Sequence, residues 1–129
     1  MRLLIADDDP SLRLALRLVF EDAGYEIVEA ETVADARGAL TDGSLDVALI
    51  DAGIDGGGVE LWGELETHDG FRGRALLLTG DLRGLGLLSS HASVYGKPFD
   101  YATLLRRIEE IGPRQDGERG FSDRLPRSQ

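Results

Sequence analysis

The sequence contains no cysteine. Disulfides, thiolate nucleophiles and cysteine-based zinc sites are therefore excluded, and a reducing cytoplasm is the expected compartment. Long apolar runs are missing as well. The longest, residues 47–50 and 75–78, are strand-sized and fall far short of the ~20 residues a membrane-spanning helix needs. The chain opens with Met1 and Arg2 and passes directly into Leu3, Leu4 and Ile5, too short a stretch for the apolar part of a secretory signal. Basic residues are scarce: 14 Lys and Arg face 24 Asp and Glu, a formal net charge of −10. Such a surface repels nucleic acid, so direct DNA or RNA binding is not expected, while cations are attracted wherever carboxylates gather. Only two histidines occur, His68 and His91; neither has companion ligands nearby in sequence, and both read as surface residues.

What remains suits one domain. The 129 residues are 42% apolar and 29% charged, enough for a single core and a charged surface. Short apolar runs alternate with amphipathic stretches. Residues 3–6 read as a strand. Asp9, Pro10 and Ser11 then read as a helix start, with Asp9 as cap and Pro10 in the first turn. Leu12, Ala15, Leu16, Val19 and Phe20 follow at helical spacing, and Gly24 ends the helix. A second strand is predicted over 25–29 and a second helix over 32–40, with Thr32 as its cap. Residues 46–50 form an almost continuous apolar run, as expected of a strand buried on both faces. A helix is predicted over 59–66, a fourth strand over 74–78 and a short fifth over 93–95. Asp100 caps a last helix whose Leu104, Leu105, Ile108 and Ile111 make an apolar stripe, and Trp62 reads as core or rim. The domain is therefore placed at 1–111. Residues 112–129, with only Phe121 and Leu125 as large apolar groups, read as a disordered tail or linker.

Repeated strand–helix alternation predicts an α/β domain: a doubly wound, five-stranded parallel sheet with helices on both faces. Ligands in such sheets bind at the carboxyl ends of the strands. At those ends stand Asp7, Asp8 and Asp9 after strand one, Asp51 after strand three, Thr79 and Gly80 after strand four, and Lys97 and Pro98 after strand five. Three close carboxylates repel one another, and a hard divalent cation such as Mg²⁺ relieves that repulsion with oxygen ligands. Asp51 is then suited to act as a carboxylate nucleophile that becomes an aspartyl phosphate. The cation, the Thr79 hydroxyl and the Lys97 ammonium can share the three phosphoryl oxygens. Asp9 reads as a helix cap only.

The strings IADDDP, DVALID, LLLTG and YGKPFD resemble the receiver domains of bacterial two-component response regulators, in that order and at the corresponding strand ends. The resemblance covers roughly residues 2–111. It implies a flavodoxin-like strand order of 2-1-3-4-5 and a phosphoacceptor at Asp51. It also implies a Mg²⁺ site made by Asp7, Asp8, Asp51 and the backbone carbonyl of Gly53, with Asp8 the more direct ligand. Thr79 becomes the signalling hydroxyl and Lys97 the phosphate-binding lysine, followed by a cis bond to Pro98. The implied partner is a sensor histidine kinase or a phosphotransfer protein. The chain would be a phosphoacceptor that assists its own phosphorylation and dephosphorylation, not an enzyme acting on other substrates.

Three features depart from that family. Asp55 stands where the family favours proline, and Gly58 arrives one residue before the expected glycine. The stretch between Thr79 and Lys97 is short and holds Gly84 and Gly86. An interior helix glycine costs about 1 kcal/mol relative to alanine, so the helix between strands four and five is predicted to be short or irregular. Val94 occupies the place of the family's switch aromatic, and Tyr95, one step along the strand, points to the opposite face. The softened Asp51 loop and the displaced aromatic support an alternative, a pseudo-receiver that binds proteins without being switched by phosphate, against which the intact set of Asp7, Asp8, Asp51, Thr79 and Lys97 argues. A phosphatase of the haloacid dehalogenase type fits less well, because Asp7, Asp8, Asp9, Pro10 and Ser11 match only the two aspartates of its motif and a cap domain is missing.

Overall fold

A computed structural model describes residues 1–114. Its elements run β1 (Arg2–Ala6), α1 (Pro10–Asp22), β2 (Glu26–Ala30), α2 (Val33–Leu40), β3 (Val47–Asp51), a 3-10 turn (Ile54–Gly56), α3 (Gly58–Glu66), β4 (Ala75–Thr79), a 3-10 segment (Arg83–Ser90), β5 (Val94–Gly96) and α4 (Tyr101–Ile111). The five strands are parallel and ordered β2-β1-β3-β4-β5, as expected. Successive strands are added in opposite directions from β1 and from β3, which makes the gap between these two the switch point where such sheets open a crevice.

Helix starts follow local chemistry. The Asp9 carboxylate accepts from the Ser11 and Leu12 amides, and Pro10 fills the first turn. Thr32 accepts from Asp35, and Asp100 from Ala102. Each cap is worth about 1 kcal/mol. The sheet separates two apolar layers. On one face α2 and α3 bury Ala36, Leu40, Leu61, Trp62 and Leu65. On the other, α1 and α4 bury Leu16, Phe20, Leu104 and Ile108. Leu105 and Ile111 pack at the margin of that second layer, so the α4 stripe is core. Every residue of β3 and β4 is buried, which explains their unbroken apolar character.

Four of the strands begin one residue later than the apolar pattern suggests. The ladder continues through Asp51 and Thr79, which pair in register with their neighbours although they are polar. The connection from β4 to β5 contains no α-helix. It is a 3-10 segment without a buried residue, broken at Gly86 (φ 60°, ψ −125°). The Lys97–Pro98 bond is cis. Residues 112–114, read from sequence as the start of a tail, lie against the body: Arg114 is buried, and its backbone amide donates to Asp46. The rest of the predicted tail lies outside the described residues.

Candidate phosphoacceptor and metal site

The carboxyl edge of the sheet brings Asp7, Asp8, Asp51 and Lys97 together. Carboxylate oxygens of Asp7, Asp8 and Asp51 lie within 4.8 Å of one another. Asp7 is 1% exposed and Asp51 9%, while Asp8 faces solvent. The Lys97 ammonium reaches over from the end of β5. It donates to Asp51 Oδ1 at 2.7 Å and stands 3.5 Å from Asp7 Oδ2. Its backbone amide donates to the Thr79 carbonyl at 2.7 Å, which fixes the root of the side chain. Asp7 Oδ1 accepts from the Asp9 amide.

The electrostatics follow from burial. Asp7 is pushed up from the usual carboxylate range, chiefly by loss of water and further by the Asp51 charge; the Asp9 amide and Lys97 pull the other way. For Lys97 loss of water favours the neutral amine, yet the hydrogen bond to Asp51 and the charges of Asp7 and Asp51 outweigh it, and its pKa is raised. The ammonium therefore stays charged. One cation against three carboxylates leaves the edge net negative. An all-oxygen donor set of that charge fits a hard divalent cation.

Thr79 is 5% exposed, and its Oγ1 accepts from the Asp81 amide at 3.0 Å, which leaves the hydroxyl proton available to a ligand. Gly53 lies against the acidic cluster, with room for a β-carbon 3.4 Å from Asp51 Oδ2, and its carbonyl accepts from Gly56. The departures in the Asp51 loop have a shared structural cause. Asp55 has φ 51°, a conformation proline cannot adopt and aspartate tolerates. That turn shortens the path, and Gly58 then passes directly beneath Asp51: a β-carbon there would overlap the Asp51 carbonyl oxygen. Gly58 thus makes the close approach one residue early.

One supporting residue escaped sequence reasoning. Arg13 on α1 donates to the Asp7 carbonyl at 2.7 Å and pairs with Glu29 at 3.1 Å. It holds the turn that carries both Asp7 and Asp8. An arginine on a helix carries no local signal of such a role. His91 keeps its expected exposure, but its ring meets Trp62 edge-on at 4.9 Å. Val94 and Tyr95 sit in opposite apolar layers, as their spacing predicts.

This fold, with an acidic pair and a lysine converging on a strand-end aspartate, defines a class of signalling domain. The chain belongs to the response regulator receiver domain family, whose profile matches residues 3–109, and thereby to two-component signalling. It is similar to the response regulator TrrA of Thermotoga maritima, whose crystal structure is a complex with Mg²⁺–BeF. Identity is 28% and the TM-score 0.70, over 86% of this chain and 98% of that one. A candidate response regulator of Chloroflexus aurantiacus is 30% identical with a TM-score of 0.69, over 85% of this chain and 95% of that one. A candidate transcriptional regulator of Pseudomonas aeruginosa is 46% identical over 54 residues, 41% of this chain and 26% of that protein. The match thus spans about a quarter of that relative's length. Among the described residues no helix is long and apolar enough to cross a membrane.

Proposed function

We propose that Asp51 is the phosphoacceptor of a two-component signalling switch, loaded by a sensor histidine kinase or a phosphotransfer protein. The observation that carries this reading is the 2.7 Å contact of Lys97 with Asp51 inside the carboxylate trio. An Asp51 carboxylate oxygen attacks the phosphorus of a donor phosphohistidine. The new O–P bond forms as the P–N bond breaks, and the leaving imidazole keeps that electron pair. Mg²⁺, held by Asp7, Asp8, Asp51 and the Gly53 carbonyl, would supply positive charge against the phosphoryl oxygens. The Lys97 ammonium and the Thr79 hydroxyl donate to the remaining oxygens. Attack by water on the same phosphorus returns Asp51 to its free form, so the domain assists its own loading and unloading and acts on no other substrate. A net charge of −10 favours a protein partner over nucleic acid, and the cytoplasm, where such phosphoryl donors are found, is the compartment we expect for the chain.

Intact mass after incubation with acetyl phosphate and Mg²⁺ tests the reading. The native chain gains one phosphoryl group only when Mg²⁺ is present, and Asp51→Asn gains none. The 3-10 segment between β4 and β5, and Val94 in the aromatic's place, favour a second reading: a pseudo-receiver that binds its partner without phosphate. An intact fold that gains no mass with Mg²⁺ present selects that reading.

A further inference from the structure

The connection from β4 to β5 is fastened to the sheet at two points. The first is the Thr79 hydroxyl, which accepts from the Asp81 amide at 3.0 Å, while the Asp81 carboxylate accepts from the Gly84 amide. The second is Leu82. Its side chain sits where Gly96 has no side chain: a β-carbon on Gly96 would stand 2.5 Å from Leu82 Cδ1 and 2.9 Å from Cγ. Gly96 pairs in register with Thr79, and the next residue is Lys97. Leu82 therefore lies over the end of β5, in a notch at the position paired with Thr79 and next in sequence to Lys97. Beyond it the 3-10 segment has no buried residue, and Leu87 is 95% exposed. Leu82 itself stays 38% exposed, and the remaining hold on the segment comes from Leu85 and Leu88 at the margin of the core.

We propose that the seating of Leu82 on Gly96 is the conformational switch of this domain, occupying the role that an aromatic at Val94 would otherwise have. This inference rests on the phosphoacceptor reading of Asp51. When the Thr79 hydroxyl turns toward a phosphoryl group on Asp51, its oxygen moves away from the Asp81 amide. Asp81 and Leu82 are adjacent, so loosening the first fastening shifts the second. Leu82 leaves the notch, and the 3-10 segment with Leu87 is freed as one apolar unit. The buried Val94 has no part in the step, because its side chain is fixed in the α2–α3 layer. A short segment with few buried contacts belongs to the least stable part of a fold, so a small change at Thr79 suffices to release it.

Hydrogen exchange read by mass spectrometry on the second timescale tests this. Native protein is compared with and without acetyl phosphate and Mg²⁺, alongside Leu82→Ala and Gly96→Val without phosphate. Phosphorylation is expected to speed exchange over residues 81–91 by about tenfold and to leave β1 and β3 unchanged. Leu82→Ala empties the notch and Gly96→Val fills it, so both give the same acceleration without phosphate. A mass gain with unchanged exchange over 81–91 overturns this inference alone, as does native-like protection in Leu82→Ala. Absence of the mass gain overturns the phosphoacceptor reading, and this inference with it.

Discussion

Gly58 runs so close beneath Asp51 that no larger residue fits: a β-carbon would overlap the Asp51 carbonyl and stand 2.8 Å from that of Ala52. The obstruction is backbone, which cannot swing aside. Gly58→Ala is therefore expected to cost more than about 3 kcal/mol. Gly63, in the interior of α3 with nothing within 4 Å of its absent β-carbon, provides the control. Gly63→Ala gains about 0.5–1 kcal/mol from helix propensity. Urea denaturation of the two variants measures the contrast, and equal effects would remove the close-approach explanation for the shortened loop.

Asp7 illustrates a stability cost carried for function. Its ionised carboxylate is disfavoured by burial and by Asp51. A raised carboxyl pKa means that ionisation costs stability at neutral pH, and that the cost fades as pH falls through the raised folded value. Asp7→Asn keeps an oxygen for the Asp9 amide and removes the charge. Without Mg²⁺ it is expected to be more stable than the native chain by roughly 1 kcal/mol at neutral pH. In the same variant Mg²⁺ binding, followed by calorimetry, is expected to collapse. A less stable Asp7→Asn would show that the Lys97 contact outweighs the burial.

Arg13 acts on the site only through the Asp7 carbonyl. Arg13→Ala is expected to weaken Mg²⁺ binding by about tenfold, the usual scale for residues that orient metal ligands. Arg13→Lys keeps one donor and recovers part of the loss. Unchanged Mg²⁺ affinity in Arg13→Ala would reduce the contact to helix packing.

The Arg37–Glu64 pair joins α2 to α3 by two parallel hydrogen bonds of 2.6 and 2.8 Å. The Arg37 guanidinium lowers the Glu64 pKa from its usual 4.5. A lowered carboxyl pKa contributes stability that is present above the unfolded value and is lost as pH falls through the folded one. Both side chains are partly exposed, so the contribution stays under about 1 kcal/mol. The difference in stability between the native chain and Glu64→Gln is expected to shrink as pH drops below 4.5. A constant difference across that range would contradict the pairing.

Much of the site was legible because a parallel sheet sends all its strand ends to one edge. Once the strands were placed, Asp7, Asp8, Asp51 and Lys97 had to meet at that edge, with Thr79 at the end of the neighbouring β4, and none of them needed a long-range contact to be located. The irregular β4–β5 connection was legible from Gly84 and Gly86, and the displaced Tyr95 from strand alternation. Other features depended on tertiary approach. Arg13 finds a carbonyl in another segment, Leu82 finds the notch at Gly96, and Arg114 returns to Leu45 and Asp46 just before β3. Arginine, leucine and glycine occur everywhere, so their types alone gave no sign of these contacts. The left-handed Asp55 is intermediate: the glycines after it signalled a soft loop, but its exact path followed from closing that loop beneath Asp51.

The end of the folded unit is open to the same kind of test. Apolar periodicity stops at Ile111, yet the chain beyond it is held at the amino edge of the sheet. Arg74 donates to the Gly112 carbonyl at 2.7 Å. The Arg114 amide donates to Asp46 Oδ1 at 2.9 Å, its guanidinium donates to the Leu45 carbonyl, and its cationic end lies 5.6 Å from the centre of the Phe71 ring. The other Asp46 oxygen accepts from the Arg2 amide, so one buried carboxylate joins the first strand, the third strand and the chain end. α4 packs in the α1 layer, whereas Leu45 and Phe71 belong to the α2–α3 layer. Residues 112–114 therefore carry the chain under the sheet from one face to the other. A chain ending at 111 exposes Asp46 on one side and loses the Phe71 contact. It is expected to be about 2–3 kcal/mol less stable than a chain ending at 114, and Arg114→Ala in the longer chain, which keeps the backbone bond to Asp46 but loses the Leu45 and Phe71 contacts, is expected to show only part of that loss. Equal urea midpoints for the two lengths would return the boundary to Ile111 and make the Arg114 contacts incidental to folding.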